Sequence, residues 1–279
     1  MKTSIPYCFL NGAIIPVNKA SVSLYDIGLL RGYAIYDGIT TFNNKIFQFA
    51  DHMKRFRHSA QSLGLKVPYS NQEIEKIIYS LIKKNSFERT NLRLILTGGQ
   101  TIAGIEYDPQ HPTFFILAEP FSALPKVLYT KGAKLMTLDH QRFMPESKTT
   151  NYITATQFQR KRKKEKAIEI LFVHNGKVLE CATSNVAIFT GGTLVTPSHN
   201  VLGGITLKVV LTLAKKHFTV EQRDISVEEL LSADEVFITS SYKDIIPVVK
   251  VDGHIIGDGQ VGNNTQILIK DFAVLTRNY

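Results

Sequence analysis

Hydrophobic and polar positions change rhythm several times along this chain. Tyr7 to Val17 alternates about Asn11-Gly12, the dipeptide of a tight hairpin turn. A short strand is expected over Ala20 to Tyr25, then a compact turn through Asp26-Ile-Gly-Leu-Leu-Arg31-Gly32. Ala34 to Phe42 and Lys45 to Phe49 predict a second hairpin around Asn43-Asn44. The period then becomes helical. Asp51 is placed to cap a helix to about Leu63, with Met53, Phe56, Ala60 and Leu63 on one stripe. Ser70 is placed to cap another, with Ile74, Ile77, Ile78 and Leu81 turned to one side. Leu92 to Thr97 and Thr113 to Ala118 read as strands, separated by a polar loop from Gly98-Gly99 to His111.

Glu119 to Tyr129 contains two prolines and reads as a linker. Beyond it, strands are expected at Ala133 to Asp139, Ile168 to Val173, Lys177 to Glu180 and Asn185 to Phe189, with a short one at Leu194 to Thr196. A helix over Thr206 to Lys216 leads to a strand at Thr219 to Arg223, and Ser226 caps a helix through Leu231. Strands at Glu235 to Thr239 and Ile245 to Val251, a turn at Asp252-Gly253 and a helix over Val261 to Leu275 complete the chain. The pattern is α+β with mixed sheets. It lacks the strand-helix alternation and the G-x-G-x-x-G turn of a Rossmann fold. The division expected is a small domain over 1-120, a linker over 121-131 and a larger domain over 132-279.

Composition narrows the function classes. The chain has 279 residues, 44% hydrophobic and 20% charged, which is ordinary for one large or two medium domains. No apolar run is long enough to span a bilayer. Met1 to Pro16, broken by Pro6, Asn11 and Gly12, reads as a hairpin and not as a signal peptide. Cys8 and Cys181 lie far apart and suggest no disulfide framework, so a cytoplasmic location is expected. The eight histidines show no metal-ligand spacing. Net charge is +9, much of it from Arg160-Lys-Arg-Lys-Lys164. A solvated helix face accounts for that run, because no aromatic interleaving or nucleic-acid motif accompanies it. A basic nucleic-acid-binding protein built on this run is the alternative from a different class.

Candidate chemistry centres on Glu146-Ser-Lys-Thr-Thr-Asn-Tyr152. Lys148 falls in a turn between a strand and a basic helix, where a lysine can be aimed inward. A deprotonated lysine amine forms Schiff bases with carbonyl compounds. Most lysines in any chain are solvated surface charge, so the reading depends on what accompanies Lys148. Leu202-Gly-Gly-Ile-Thr206 precedes a helix, where glycines and free N–H groups suit a phosphate; a plain loop and cap would share that sequence. Phe237-Ile-Thr-Ser-Ser241 ends a strand in three hydroxyls, suited to a phosphate cup or simply a polar strand end. Glu180, at a strand end before Cys-Ala-Thr-Ser184-Asn185, could hold a pyridine nitrogen protonated if it points inward, or be a surface acid if outward.

The order Lys148, Glu180, Gly204-Ile205-Thr206, Ser240-Ser241 resembles the fold-type IV, or class IV, aminotransferases. These enzymes use pyridoxal 5′-phosphate (PLP). They include the branched-chain and D-amino-acid aminotransferases and the aminodeoxychorismate lyases. The resemblance covers nearly the whole chain and extends to Asn11-Gly12, Leu30-Arg31-Gly32-Tyr33, Tyr36-Asp37-Gly38 and His52-Met-Lys-Arg55. It implies a two-domain enzyme, homodimeric, acting on an amino acid and a 2-oxo acid; from the composition, neither nucleic acid nor membrane is expected as a partner. It implies that Lys148 forms a Schiff base with PLP and moves a proton. By the same resemblance Glu180 pairs with the ring nitrogen, and Arg55, Ile205, Thr206 and Ser241, with Ser240, bind the phosphate. Gly204 belongs to that phosphate turn, Tyr152 and Asn185 lie near the ring, and Ser184 sits beside Glu180.

The member of the family is less marked. Branched-chain enzymes place an arginine two residues after the glycine of the Tyr36-Asp37-Gly38 segment, where this chain has Thr40. The bacillary D-amino-acid enzymes carry an arginine in the strand end that reads Leu96-Thr97-Gly98-Gly99 here. With both absent, Arg31 or Arg93, with Tyr36 nearby, is expected to bind the substrate carboxylate. The alternative makes Arg93 a structural strand residue and pairs Arg31 with Asp26 or Asp37. The set looks most similar to a divergent group of D-amino-acid transaminases; branched-chain transamination and aminodeoxychorismate lysis remain the alternatives.

Overall fold

The structure is a computed structural model that describes residues 5–279; the first four residues of the Met1–Pro16 stretch lie outside it. The chain forms two compact units. One comprises the chain up to Ser122 together with Ser147–Asn151 and Tyr279; the other comprises Ala123–Glu146 and Tyr152–Asn278.

The first unit is built on a six-stranded antiparallel sheet. Its order is Ala13–Pro16, Tyr7–Leu10, Thr113–Pro120, Thr90–Thr97, Ala34–Phe42, Lys45–Ile46. Alternation along these strands turns Ile35, Ile39, Leu92, Leu94, Leu96, Phe114 and Ile116 into a core. The helices Phe49–Ser62 and Asn71–Asn85 fill it with Met53, Phe56, Ile74, Ile78 and Leu81, the stripes read from the sequence. Ser70 and Glu73 cap the second helix reciprocally.

Three local expectations are corrected. Ala20 to Tyr25 is not a strand: all six residues are exposed, and alternation that buries no face has nothing to hold a strand in register. The strand after Asn43-Asn44 stops at Ile46. The chain then turns at Gln48 (φ 48°), so the helix starts at Phe49 and Asp51 lies within its first turn instead of capping it. The acid still favours that end of the helix dipole. Finally, the loop before His111 contains a small ladder of Thr101–Ala103 with Glu106–Tyr107.

The second unit is built on a ten-stranded mixed sheet. Asn185–Thr190, Glu235–Ser240 and Asp244–Val251 are antiparallel neighbours; Ala133–Asp139 then pairs in parallel with both Asp244–Val251 and Glu169–His174. Lys177–Cys181 returns antiparallel to Glu169–His174. The basic segment after Lys148 forms two short helices, Ile153–Gln157 and Gln159–Lys164, in place of one. The last helix, Asn263–Arg277, is capped from outside its own sequence: Glu235 accepts from Asn264 N–H (2.9 Å) and from Thr265 N–H and hydroxyl (both 2.7 Å). Among the described residues, no helix is long and apolar enough to cross a membrane, and no His/Cys/Asp/Glu group could hold a metal ion.

Candidate active site

Lys148 belongs to the edge of the first unit's sheet. Ser147–Asn151 lies along Ala34–Phe42 beside Ala34 to Tyr36, the edge opposite the strand Thr90–Thr97. Tyr36 N–H donates to the Lys148 carbonyl (2.9 Å), Thr150 N–H donates to the Ala34 carbonyl (3.0 Å), and Ile35 faces Thr149 as an antiparallel bridge. Helix Phe49–Ser62 adds two serines. Lys148 N–H donates to Ser59 Oγ (2.9 Å), and the hydroxyls of Ser62 and Ser147 are 2.7 Å apart. Three of these hydrogen bonds hold the backbone on both sides of the lysine, and the fourth holds the neighbouring Ser147 side chain. Because successive side chains alternate, Thr149 shares the helix-covered face with Ile35 and Lys148 emerges on the other. There its Nζ stands 4.5 Å from the centroid of the Tyr36 ring.

Register identifies what shares that face. Tyr36 lies opposite Ile95, Gly38 opposite Arg93 and Thr40 opposite Asn91. Arg93 therefore stands one pleat repeat from Tyr36, across from a residue with no side chain. Its Nη2 is 3.3 Å from Glu119, with both side chains about half exposed. Arg31 ends a single helical turn, Ile27–Arg31, and its Nη1 donates to the adjacent Leu30 carbonyl (2.9 Å). Its two considered partners are engaged by other groups: Asp26 caps Gly28 and accepts from Thr97 and Thr113, and Asp37 binds His52 and Arg55. Thr40 is buried and accepts from Arg89 Nε (3.0 Å), whose guanidinium lies over the rings of Phe42 and Phe121.

On the helix-covered face, Asp37 receives Arg55 Nε and Nη2 (2.8 Å each) and lies 2.6 Å from His52 Nδ1. Burial works against the Asp37 charge, but Arg55 and His52 outweigh it and hold the carboxyl well below the usual range. Burial pushes the His52 imidazole down, against the pull of Asp37. The neutral ring donates from Nδ1 to Asp37, and its Nε2 is buried without a hydrogen-bond partner. Arg55, expected from the sequence at a phosphate, has its guanidinium held by the Asp37 carboxylate.

The second unit gathers another set. Glu180 is buried at the end of Lys177–Cys181, as an inward acid must be. Its Oε1 accepts from Arg142 Nε (2.7 Å), with Arg142 Nη2 also at 2.7 Å, and its Oε2 accepts from Leu202 N–H (3.1 Å). Arg142 escapes a reading of the sequence: nothing in its local pattern separates it from a surface arginine. Asn185 Nδ2 donates to the Leu202 carbonyl (2.8 Å), so the Leu202 peptide is held from both sides. A Cβ on Gly204 would lie 1.8 Å from Asn185 Oδ1, which restricts the position to glycine. The helix Ile205–Ala214 starts there with Ile205 and Thr206 buried.

Thr239 lies directly opposite Asn185 across the ladder, with Ser240 and Ser241 next in the chain. The hydroxyls of Thr239 and Ser240 are buried without hydrogen-bond partners. Buried polar atoms of this kind are rare unless a ligand completes them. Orphan hydroxyls near a glycine-started helix suit a phosphate, and an inward carboxylate suits a protonated ring nitrogen. These residues therefore fit PLP. Tyr152 is half-buried at the start of Ile153–Gln157, against the cluster of Met136, Ala155 and Phe172. Ser184 makes its contacts with Glu169 and Lys243, two residues that no sequence motif singles out.

The description "amino-transferase class IV" belongs to a family model that matches residues 34–251. The chain belongs to this family and is a PLP-dependent class IV aminotransferase. A putative branched-chain-amino-acid aminotransferase of Methanocaldococcus jannaschii is 30% identical over 95% of this chain and 94% of its own. A D-alanine aminotransferase of Listeria monocytogenes is 28% identical over 94% and 93%. Among solved structures, the branched-chain amino acid aminotransferase of Escherichia coli superposes with a TM-score of 0.92. It is 25% identical, with 99% of this chain and 96% of that one covered.

Proposed function

We propose that this aminotransferase uses Lys148 as its reactive amine and takes D-amino acids as preferred donors to a 2-oxo acid. The observation that carries the reading is the placement of Lys148: backbone pinned on both sides, amine over Tyr36, on the sheet face that also bears Arg93. PLP, when bound, supplies the electron sink that lets a proton leave the substrate α-carbon. Lys148 is the nucleophile toward the cofactor carbonyl and the base that carries that proton. Glu180, oriented by Arg142 and Leu202, keeps the ring nitrogen protonated. Within the second unit, Ile205, Thr206, Ser240 and Ser241 would hold the phosphate, Asn185 holds the Leu202 carbonyl before the Gly204 turn, and Tyr152 and Ser184 would lie near the ring; Arg55, of the first unit, keeps the phosphate role that the family resemblance implies.

Thr40 stands where branched-chain enzymes place an arginine and is buried against Arg89. Arg93, on the Lys148 face, or Arg31 then takes the substrate carboxylate. The Methanocaldococcus relative keeps branched-chain L-amino acids as the second reading. The two separate in one experiment. The visible absorbance of the PLP-loaded enzyme, absent in Lys148→Ala, should bleach with D-alanine or D-glutamate and not with L-leucine. Bleaching by L-leucine alone would transfer the assignment to the branched-chain group.

We also propose a homodimer. Leu24, Tyr25, Leu29, Ile102 and Ile105 are exposed on the first unit, and their segments are linked by Thr101 N–H to the Tyr25 carbonyl. Adjacent apolar side chains of this size suit a self-association surface. Leu24→Lys with Ile105→Lys should yield monomers by light scattering; an unchanged dimer would place the interface elsewhere. Cys8 and Cys181 are buried free thiols, which suits a cytoplasmic enzyme.

A further inference from the structure

Lys243 has no role in the chemistry above, yet it is a largely buried ammonium beside a buried acid. Its Nζ binds Glu169 Oε1 and Thr183 Oγ1, and reaches Ser184 Oγ at 3.1 Å. Thr183 donates its hydroxyl to the same Glu169 oxygen, and Ser184 reaches it at 3.3 Å. The chain places these four residues at three element ends. Glu169 opens the strand Glu169–His174. Thr183 and Ser184 form the turn between Glu180 and Asn185, closed by Cys181 N–H on the Ser184 carbonyl (2.8 Å). Lys243 occupies the turn that joins Ser240 to Asp244.

One ammonium thus ties the turn beside the ring-nitrogen acid to the turn beside the phosphate hydroxyls. A charge pair is a costly way to do this, because two apolar side chains of similar volume usually fill such a site at equal or better stability. An apolar pair, however, cannot hydrogen-bond the Thr183 and Ser184 hydroxyls. We propose that Lys243 is a positioning residue: through Glu169, Thr183 and Ser184 it sets the spacing between Glu180 and the Ser240–Ser241 hydroxyls, and hence the fit of PLP. The inference rests on the PLP reading above.

The test uses the full-length protein stripped of cofactor and titrated with PLP, read by the visible band. Urea unfolding of the same preparations is measured alongside. Lys243→Met should weaken PLP binding at least tenfold and lower the urea midpoint, because Glu169 is left buried and unpaired. Lys243→Met with Glu169→Met should recover the urea midpoint while PLP binding stays at least tenfold weak. Lys243→Arg, which keeps a charged donor, should restore part of the affinity. If the double variant binds PLP as the parent does, the pair is only structural and the positioning role is overturned. If the parent itself shows no band, the PLP reading fails and this inference with it.

Discussion

Replacing Arg142 by methionine isolates the contribution of the arginine that holds Glu180. The two side chains are 10% and 7% exposed, so the pair is largely removed from water. The substitution deletes both guanidinium contacts on Oε1 and keeps the Leu202 N–H on Oε2. Breaking a buried pair from one side costs about 3–5 kcal/mol, since the remaining charge stays desolvated. The surviving hydrogen bond places Arg142→Met near the low end, about 3 kcal/mol. At roughly 2–4 °C per kcal/mol for a unit of this size, thermal unfolding should fall by about 6–12 °C. Adding Glu180→Gln to the same chain should return most of that loss, because a neutral amide needs no counter-charge. Urea unfolding followed by far-UV circular dichroism at pH 7 measures both. A loss under about 1 kcal/mol for the single variant, or an equal loss for the double, would refute the buried-pair argument.

The other predictions concern the glycines and the Asp37 cluster. Gly204→Ala places a methyl carbon 1.8 Å from Asn185 Oδ1, so Asn185 must release the Leu202 carbonyl. A loss of about 1–3 kcal/mol and at least tenfold weaker PLP binding are expected; unchanged binding would separate this turn from the phosphate. Gly262→Ala meets the Glu235 carboxyl at 1.9 Å and displaces the cap of the last helix, for a loss of about 2–4 kcal/mol in a urea melt. A melt within experimental error of the parent would show that the cap is dispensable. Stability should fall on acidification in two stages. His52 is neutral in the fold with its pKa lowered by burial, so below about pH 6.5 the unfolded chain binds the extra proton. Asp37, held low chiefly by Arg55 against its own burial, contributes fully above about pH 4 and loses that contribution below it. His52→Gln should flatten the slope that begins below about pH 6.5 and leave the lower stage in place; an unaltered upper slope would assign it to another group.

Most of the elements, the fold class and the candidacy of Lys148 follow from local pattern alone. Asn11-Gly12 and Asn43-Asn44 mark turns because asparagine and glycine tolerate positive φ, and all four adopt it. The stripes Ile74, Ile78, Leu81 and Met53, Phe56, Ala60 predict helices because only a 3.6-residue period collects them on one side. Glu180 and the turn from Gly204 to Thr206 were legible as candidates because their chemistry lies in short, contiguous motifs. What failed locally was decided by distant partners. Ala20 to Tyr25 alternates like a strand but has no sheet to join, and the strand after Asn44 yields to a helix two residues before Asp51.

Only the tertiary structure placed Lys148 on a sheet edge, because the serines that hold it come from a helix some 90 residues earlier. Only register put Arg93 across from Gly38 on the lysine's face, and only the fold brought Arg142 to Glu180, Asp37 to Arg55, and Lys243 to Glu169. These are all charges, and the reason is physical. Apolar residues announce their burial through the period at which they recur. A charged side chain carries the same letter whether it is solvated or paired in the interior, so its role is settled only when folding brings its partner within hydrogen-bond reach.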